Sequence, residues 1–194
     1  MSLFEEVNQI ENARGFCSAA SLGIDRFGND CLFNHSNRIY ESVKTLWPDD
    51  SLAQVAAWLH DLVEDTPVTL EVVERNFGKA VANTVDLLTA REGEHYDDYL
   101  IRLIDGGDIS ALRVKYCDGL DNSDICVGLI DAENLSVDSF LYYRAKYRIA
   151  TTIISGVIRK MSPKDDPVVE LHKTIAGIWE REYDRPAIRR LRNG

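Results

Sequence analysis

The sequence lacks the features that would place it in a membrane or mark it for export. Its 194 residues contain no run close to the roughly 20 consecutive apolar residues that a membrane-spanning helix needs. The first residues are acidic and do not show the basic-then-apolar order of a signal peptide. These absences predict a cytoplasmic protein without a membrane partner.

Cysteine and positive charge are both scarce. The four cysteines, Cys17, Cys31, Cys117 and Cys126, form no Cys-x-x-Cys pair, which argues against a structural zinc site or a thiol redox centre. We expect them to be reduced and partly buried. The formal net charge is −10, from 22 Lys and Arg against 32 Asp and Glu, so the average surface repels nucleic acid. The expected partner is therefore a small molecule and not a nucleic acid.

Helical patterns dominate the sequence. Cap and stop signals predict a helix over residues 51–66 and another that starts at Asp108 and ends near Cys126. Further helices are expected over residues 69–78, 79–90, 96–104, 136–160 and 166–183. Residues 23–34 are loop-like, and no alternating apolar run demands a sheet. We predict an all-α fold in a single domain over residues 1–194, with the C-terminal helices of residues 136–194 packed on the rest.

The helix predicted over residues 51–66 carries a polar cluster. At about 100° per residue, His60, Asp61, Glu64 and Asp65 fall on one side and an apolar face falls on the other. An imidazole followed by a carboxylate, with two carboxylates one turn later, is what a metal ion and a water-activating acid need. A solvated acidic face beside a surface histidine is the alternative for this helix taken alone.

Two other segments indicate a metal site only in combination with that helix. Asp118 and Asn122 are four residues apart and share a helical face if the helix passes through Gly119. Glycine inside a helix costs about 1 kcal/mol relative to alanine, and close packing against another backbone is one reason to keep it. His35 lies just before or at the start of a helix. Taken singly, Asp118 is a surface or capping residue and His35 a cap or core residue.

Together, His35, His60-Asp61 and Asp118 resemble the H…HD…D pattern of the HD-domain metal-dependent phosphohydrolases. Residues 60–66, His-Asp-Leu-Val-Glu-Asp-Thr, are similar to the RelA/SpoT-type alarmone hydrolases, in which a Glu-Asp pair and a Thr follow the HD pair. Residues 114–122, VKYCDGLDN, are similar to the V-K-L-A-D-R-L-H-N of that family. The resemblance covers about residues 14–150 and implies a helical HD-domain bundle.

The resemblance also implies a ligand set and catalytic residues. One divalent metal is expected on four ligands: His35, His60, Asp61 and Asp118. Mn²⁺ is the preferred ion, and Fe²⁺ or Zn²⁺ also suits two imidazoles and two carboxylates. Glu64 and Asp65 are expected to hold or deprotonate the attacking water. His95 and His172 lie in no matching motif, so a second metal is not expected.

The substrate that this family implies is a phosphorylated nucleotide. A divalent ion and two aspartates nearly cancel in charge, so the phosphates require further cations. The residues expected to contact the substrate are Arg26, Lys115, Asn122, Arg144 and Tyr147. The cations can equally be surface salt-bridge residues, and the tyrosine can equally pack in the core.

Three functions are consistent with these residues. The first is removal of 3′-pyrophosphate from ppGpp-like guanosine polyphosphates, which the Glu-Asp pair favours. The second is an HD-type nucleotidase or phosphatase for another nucleoside phosphate. It is favoured by Gly119, where the alarmone hydrolases have Arg, and by the loop before His35, which carries only one arginine, Arg26. The third is a non-catalytic domain that binds a nucleotide or a partner, against which the complete ligand set argues. An additional synthetase domain is not expected in 194 residues, and the sequence allows a homo-oligomer.

Overall fold

The structure is a computed structural model that describes residues 3–25, 30–131, 136–162 and 167–168. The chain divides into two compact units, Met1–Asp118 and Gly119–Gly194. The single domain predicted over the whole chain stays a prediction. The helix predicted over residues 166–183 lies outside the described residues, apart from residues 167 and 168.

Helices make up most of the described chain. They are α1 (Leu3–Ala20), α2 (Leu32–Leu46), α3 (Ser51–Leu59), α4 (Leu62–Asp65), α5 (Leu70–Phe77), α6 (Lys79–Leu88), α7 (Tyr96–Asp105), α8 (Ile109–Asp131) and α9 (Val137–Met161). The described residues contain no strand, only an isolated bridge between Asp25 and Cys31. The all-α prediction is therefore confirmed. In the same residues, no helix has both the length and the hydropathy needed to cross a bilayer.

Two helix boundaries follow from local sequence signals. Helix α5 ends before Gly78, whose φ of 86° is a conformation that glycine adopts without strain. Helix α8 begins after Asp108, whose carboxylate accepts hydrogen bonds from the amides of Ser110 (2.9 Å) and Ala111 (3.1 Å). The same carboxylate accepts a hydrogen bond of 2.6 Å from the Thr84 hydroxyl. This contact ties the start of α8 to α6.

Two regions near the N-terminus differ from expectation. The loop predicted over residues 23–34 is too long, because α2 already begins at Leu32. Helix α1 has no counterpart among the helices predicted from the sequence. Its most buried residues include Ala13 and Cys17, which are small and leave only a weak apolar pattern.

The helix predicted over residues 51–66 is two helices, α3 and α4, with His60 and Asp61 between them. The Nδ1 atom of His60 lies 2.9 Å from the carbonyl oxygen of Ala57. In a continuous helix, that oxygen would accept the amide hydrogen of Asp61. The side chain of His60 takes this acceptor, and the prediction of one unbroken helix is wrong.

Helix α3 is the central helix of the first unit. It packs against α1, α2 and α6, and residues 53–59 are all buried. The predicted division into an apolar and a polar face is therefore wrong for α3, because neighbouring helices cover it on all sides. Trp58 stacks on Phe33 and Tyr40 of α2, with ring centroids 5.4 and 5.0 Å apart. This packing holds α2, which carries His35, against α3.

Asp50 joins the starts of α3 and α8. Its carboxylate accepts a hydrogen bond from the amide of Ala53 at 2.9 Å, which caps α3. It also accepts hydrogen bonds from Ser110 Oγ and Arg113 Nη1 of α8, both at 2.8 Å. One carboxylate therefore positions the N-terminal part of α8, the helix that carries Asp118.

Within the second unit, Gly119 lies close to helix α9. A Cβ atom on Gly119 would lie 2.7 Å from Cγ2 of Thr151, which is shorter than a van der Waals contact. Close packing at this glycine is as expected, although the neighbour is a side chain and not a backbone. Helix α9 itself begins at a cap, because the Ser136 hydroxyl accepts a hydrogen bond of 3.2 Å from the amide of Ser139.

Candidate metal centre

The first unit brings four widely separated side chains together. His35 lies in the first turn of α2, His60 and Asp61 lie between α3 and α4, and Asp118 lies on α8. The Nε2 atoms of His35 and His60 are 3.2 Å apart. One ligand atom from each of His35, His60 and Asp61 lies within 4.8 Å of the others, so this group can hold a metal ion.

The carboxylate oxygens surround the two imidazole nitrogens. Asp61 lies 3.4 Å from His35 Nε2 through Oδ2 and 3.2 Å from His60 Nε2 through Oδ1. Oδ1 of Asp118 lies 3.2 Å from His35 Nε2 and 3.9 Å from His60 Nε2. Asp118 therefore lies beside both histidines of the group formed by His35, His60 and Asp61 that can hold an ion.

These separations fit the donors of a single ion. Donor atoms about 2.1 Å from an octahedral metal are about 3 Å from their neighbours. The Nδ1 atom of His60 donates its hydrogen to the carbonyl oxygen of Ala57, because that oxygen can only accept. Its Nε2 atom is then left with a lone pair for a metal. The Nε2 atom of His35, 3.2 Å away, needs a proton or a cation between the two nitrogens.

Both aspartates stay ionised in this environment. Burial by itself would raise the pKa of Asp61, but the neighbouring imidazoles of His60 and His35 hold that pKa well below its ordinary value. Burial also opposes ionisation of Asp118, whereas the positive charge of Lys115 and the hydrogen bond from His35 lower the pKa of Asp118. Two ionised carboxylates and two imidazoles form the N/O donor set of a divalent transition metal.

Lys115 lies beside the cluster. Its Nζ atom is 2.7 Å from Oδ2 of Asp118 and 5.1 Å from the centre of the Tyr99 ring. Burial would lower the pKa of Lys115, but the negative charge of Asp118 raises it well above its ordinary value, so the ammonium group is charged. The phosphate contact predicted for Lys115 stays a prediction.

Glu64 and Asp65 both lie on α4, and both are exposed. Oε1 of Glu64 accepts a hydrogen bond of 2.7 Å from the backbone amide of Ala90. Desolvation and the negative charge of Asp61 raise the pKa of Glu64, and the amide of Ala90 opposes this change. The catalytic roles predicted for both residues stay predictions.

The remaining predicted substrate residues fall elsewhere. Arg26 lies outside the described residues. Asn122, Arg144 and Tyr147 belong to the second unit, where Arg144 is buried and Tyr147 stacks on Tyr143 with 6.2 Å between ring centroids. Their contacts with a substrate stay predictions. The free cysteines Cys17 and Cys117 are buried, as expected, whereas the side chain of Cys126 is not described.

Sequence reasoning missed the residues that surround Lys115 and Glu64. Tyr99 is buried, and its hydroxyl donates a hydrogen bond of 3.0 Å to the carbonyl oxygen of Leu88. Arg102 binds the carbonyl oxygen of Thr89 through Nη2 at 2.9 Å and Oε1 of Glu94 through Nε at 2.8 Å. These contacts hold residues 89–95, the segment that includes Ala90. The tyrosine-rich sequence around Tyr99 was the available signal.

Of the two other histidines, only His95 is described, and it does not join the cluster. His95 is exposed and precedes α7. His172 lies outside the described residues. His95 therefore serves as a comparison for the buried ligands.

No protein-family model matches the sequence. No curated protein matches it either. The fold, however, matches the solved structure of a metazoan ortholog of SpoT that hydrolyzes ppGpp and plays a role in starvation responses. The match covers 85% of this chain and 92% of that protein, with a TM-score of 0.65 and 18% sequence identity. The chain thus has the helical fold of that hydrolase, and the predicted HD-type fold is confirmed.

Proposed function

We propose that this chain is a metal-dependent phosphohydrolase that removes 3′-pyrophosphate from ppGpp-like guanosine polyphosphates. The observation that carries the proposal is the convergence of His35, His60 and Asp61 at separations that suit ligands to one ion, with Asp118 beside both histidines. The similarity of the fold to a protein that hydrolyzes ppGpp supports the substrate class.

One divalent ion, for which we propose Mn²⁺, would be held by these four side chains. Fe²⁺ and Zn²⁺ suit the same donors. When bound, the ion would lower the pKa of a water molecule and polarise a phosphoryl group. Asp61 and Asp118 supply two negative charges, which balance the two positive charges of the ion. The hydrogen bond from His60 to Ala57 fixes the imidazole with Nε2 facing the ligands.

Glu64 and Asp65 are the proposed proton acceptors for the attacking water. They lie on α4, directly after Asp61 and on an exposed part of the chain that solvent and substrate can reach. The raised pKa of Glu64 is in the direction that brings a carboxylate closer to the working range of a general base. We further propose that Arg26, Asn122 and Arg144 contact the phosphates.

Tyr147 is proposed to stack on the nucleobase. Its aromatic ring offers the flat apolar surface that a purine needs. The stack between Tyr147 and Tyr143 provides an alternative role in packing within α9.

A second function, hydrolysis of another nucleoside phosphate, is favoured by one observation. The alarmone hydrolases have an arginine at the position of Gly119. Here the close approach of Thr151, 2.7 Å from a Cβ placed on Gly119, leaves no space for a larger side chain. A chain without this arginine departs from the alarmone hydrolases at the residue that follows Asp118, which favours a different nucleotide.

The deciding experiment is a nucleotide screen. Purified protein is incubated with Mn²⁺ and a panel that includes ppGpp, GTP, GDP and deoxynucleotides, and released pyrophosphate and phosphate are measured separately. We expect pyrophosphate from ppGpp. Phosphate from another nucleotide would support the second function, and no turnover by a protein that binds Mn²⁺ would indicate a non-catalytic domain.

Two histidine variants control the screen. His60→Ala removes a buried ligand and should abolish both Mn²⁺ binding, measured by calorimetry, and turnover. His95→Ala removes an exposed histidine outside the cluster and should change neither. If His60→Ala binds Mn²⁺ as the parent does, the metal centre lies elsewhere.

A further inference from the structure

We propose that Lys115 is a positioning residue for Asp118, which it holds with one carboxylate oxygen directed at the metal centre. The two oxygens of Asp118 have different partners. Oδ2 accepts the hydrogen bond from Lys115 Nζ at 2.7 Å, whereas Oδ1 lies 3.2 Å from Nε2 of His35. The inference rests on the metal centre proposed above.

Lys115 is itself held in place. Only 16% of its side chain is exposed, and the Asp118 side chain is 3% exposed. The ammonium group lies over the ring of Tyr99, 5.1 Å from its centre. That ring is anchored, because the Tyr99 hydroxyl donates a hydrogen bond to Leu88 at 3.0 Å. A lysine held on two sides has less freedom than one on a solvated surface, so it can fix the carboxylate it binds.

This arrangement has a consequence for coordination. A carboxylate whose second oxygen is bound by an ammonium group is favoured as a ligand through its first oxygen only. Asp118 would then occupy one position on the ion and leave others for water and substrate, as a catalytic metal requires. Without Lys115, both oxygens become available to the ion, and the carboxylate can also rotate away from His35.

The arrangement also changes the charge of the centre. A divalent ion and the two ionised aspartates would sum to about zero, and the charged Lys115 adds one positive charge. Lys115 thereby favours an anionic substrate without touching it. A direct contact with phosphate, as expected from the sequence, would change the KM for the nucleotide and leave the binding of the ion alone unchanged. The two roles therefore make different predictions.

The test is Mn²⁺ affinity without substrate. Lys115→Met keeps most of the side-chain length and removes the charge. Loss of a residue that orients a metal ligand typically weakens metal affinity by about 10- to 100-fold, and we expect a rise of that size in the Kd for Mn²⁺ by calorimetry. Removal of the positive charge would by itself lower this Kd, so a rise reports the lost orientation of Asp118. Lys115→Arg retains a cation and should restore most of the affinity.

Lys44→Met is the matched control. Lys44 also lies over a tyrosine ring, with Nζ 5.4 Å from the centre of Tyr40, but it is exposed, and its acidic neighbours Glu41 and Glu11 are not proposed metal ligands. Its loss should leave the Kd for Mn²⁺ unchanged. Circular dichroism and urea unfolding report whether each variant is folded. If Lys115→Met does not fold, Lys115→Gln is measured in its place and judged by the same comparison.

The outcomes separate the two proposals. If the parent binds Mn²⁺ and the Lys115 variant binds it equally well, the positioning role is wrong while the metal centre stands. An unchanged Kd with a higher KM for the nucleotide would assign Lys115 to phosphate binding instead. If the parent itself binds no divalent ion, the metal centre and the positioning role both fall.

Discussion

Glu64 of α4 accepts a hydrogen bond from the backbone amide of Ala90, with 2.7 Å between Oε1 and the nitrogen. Ala90 belongs to residues 89–95, which connect α6 to α7 and are also bound by Arg102. Glu64 therefore links a loop to the short helix that follows the His60-Asp61 pair. Glutamine at this position retains an oxygen that can accept the bond, whereas alanine does not.

Glutamine and alanine variants of Glu64 can therefore separate a catalytic role of the carboxylate from its hydrogen bond to Ala90. The double substitution Glu64→Gln, Asp65→Asn removes both candidate bases with little change in shape. We expect kcat to fall by about 10²- to 10⁴-fold, the usual contribution of general acid–base catalysis, while bound Mn²⁺ is unchanged. Wild-type turnover in the metal-loaded double variant would refute the role.

The alanine variant tests the anchor. Glu64→Ala should also lower the free energy of unfolding, by about 0.5–1.5 kcal/mol for one hydrogen bond, whereas Glu64→Gln should lower it less. Urea unfolding of both variants measures this difference. Equal stability of the two would mean that the bond to Ala90 contributes nothing.

Substitution of Asp50 should cause a large loss of stability, because its carboxylate has partners on both α3 and α8. Asp50→Ala removes the cap of α3, typically about 0.5–2 kcal/mol, and leaves Arg113 and Ser110 without this acceptor. We expect the free energy of unfolding to fall by about 2–4 kcal/mol, since hydrogen bonds to charged groups contribute about 1.5–3 kcal/mol. Asp49→Ala, at the exposed neighbouring position, should stay within about 0.5 kcal/mol of the parent. Urea unfolding measures both variants. If Asp50→Ala and Asp49→Ala lower the free energy of unfolding by similar amounts, the contacts of Asp50 contribute no more than those of an exposed residue.

The close contact between Gly119 and Thr151 predicts that Gly119→Ala changes the free energy of unfolding in opposite directions in two backgrounds. Gly119→Ala gains helix propensity, about 1 kcal/mol, but places Cβ against Cγ2 of Thr151, a buried and stiff side chain. Overpacking typically costs about 1–3 kcal/mol, so the substitution should destabilise the parent. In the Thr151→Ser background, which lacks Cγ2, the same substitution should stabilise.

Gly156→Ala provides the control for that cycle. Gly156 also lies inside a helix, α9, and nothing lies within 4 Å of a Cβ placed there. It should stabilise by about 0.5–1 kcal/mol in either background. All variants are compared by urea unfolding. Additive effects of Gly119→Ala and Thr151→Ser would contradict the packing argument.

The ion pair between Glu94 and Arg102 should make the free energy of unfolding depend on pH. Hydrogen bonds from Arg102 lower the pKa of Glu94 to about 2, with a further contribution from the amide of Arg91. Because the folded-state pKa is below its ordinary value of 4.5, the stabilisation is present above about pH 4.5 and is lost as the pH falls toward 2. The stability difference between the parent and Glu94→Gln should therefore shrink between pH 7 and pH 3.

Urea unfolding at several pH values checks this trend. In an Arg102→Met background, Glu94→Gln should lose most of its pH-dependent effect, because the main cause of the shifted pKa is gone. A difference that stays constant from pH 7 to pH 3 would show that the pair does not act through the charge of Glu94.

Local signals in the sequence determined the helical class and several helix ends. Gly78 ends α5 because its positive φ suits glycine, and Asp108 caps α8 with its own side chain. These interactions involve residues close in sequence, so composition and spacing suffice to predict them. The set of His35, His60, Asp61 and Asp118 was predicted only through its resemblance to the HD-domain phosphohydrolases, because no local signal brings these distant segments together.

Tertiary structure decided what each of those side chains touches. A helical wheel assumes one unbroken axis, and so it could not show that His60 takes the carbonyl oxygen of Ala57 and divides the helix. It also assumes that one face meets solvent, whereas α3 is covered on all sides by α1, α2 and α6. The contact between Glu64 and Ala90 joins residues 26 positions apart and has no local signature. For Lys115 the sequence shows the positive charge, and the tertiary structure adds the ring of Tyr99 beside it.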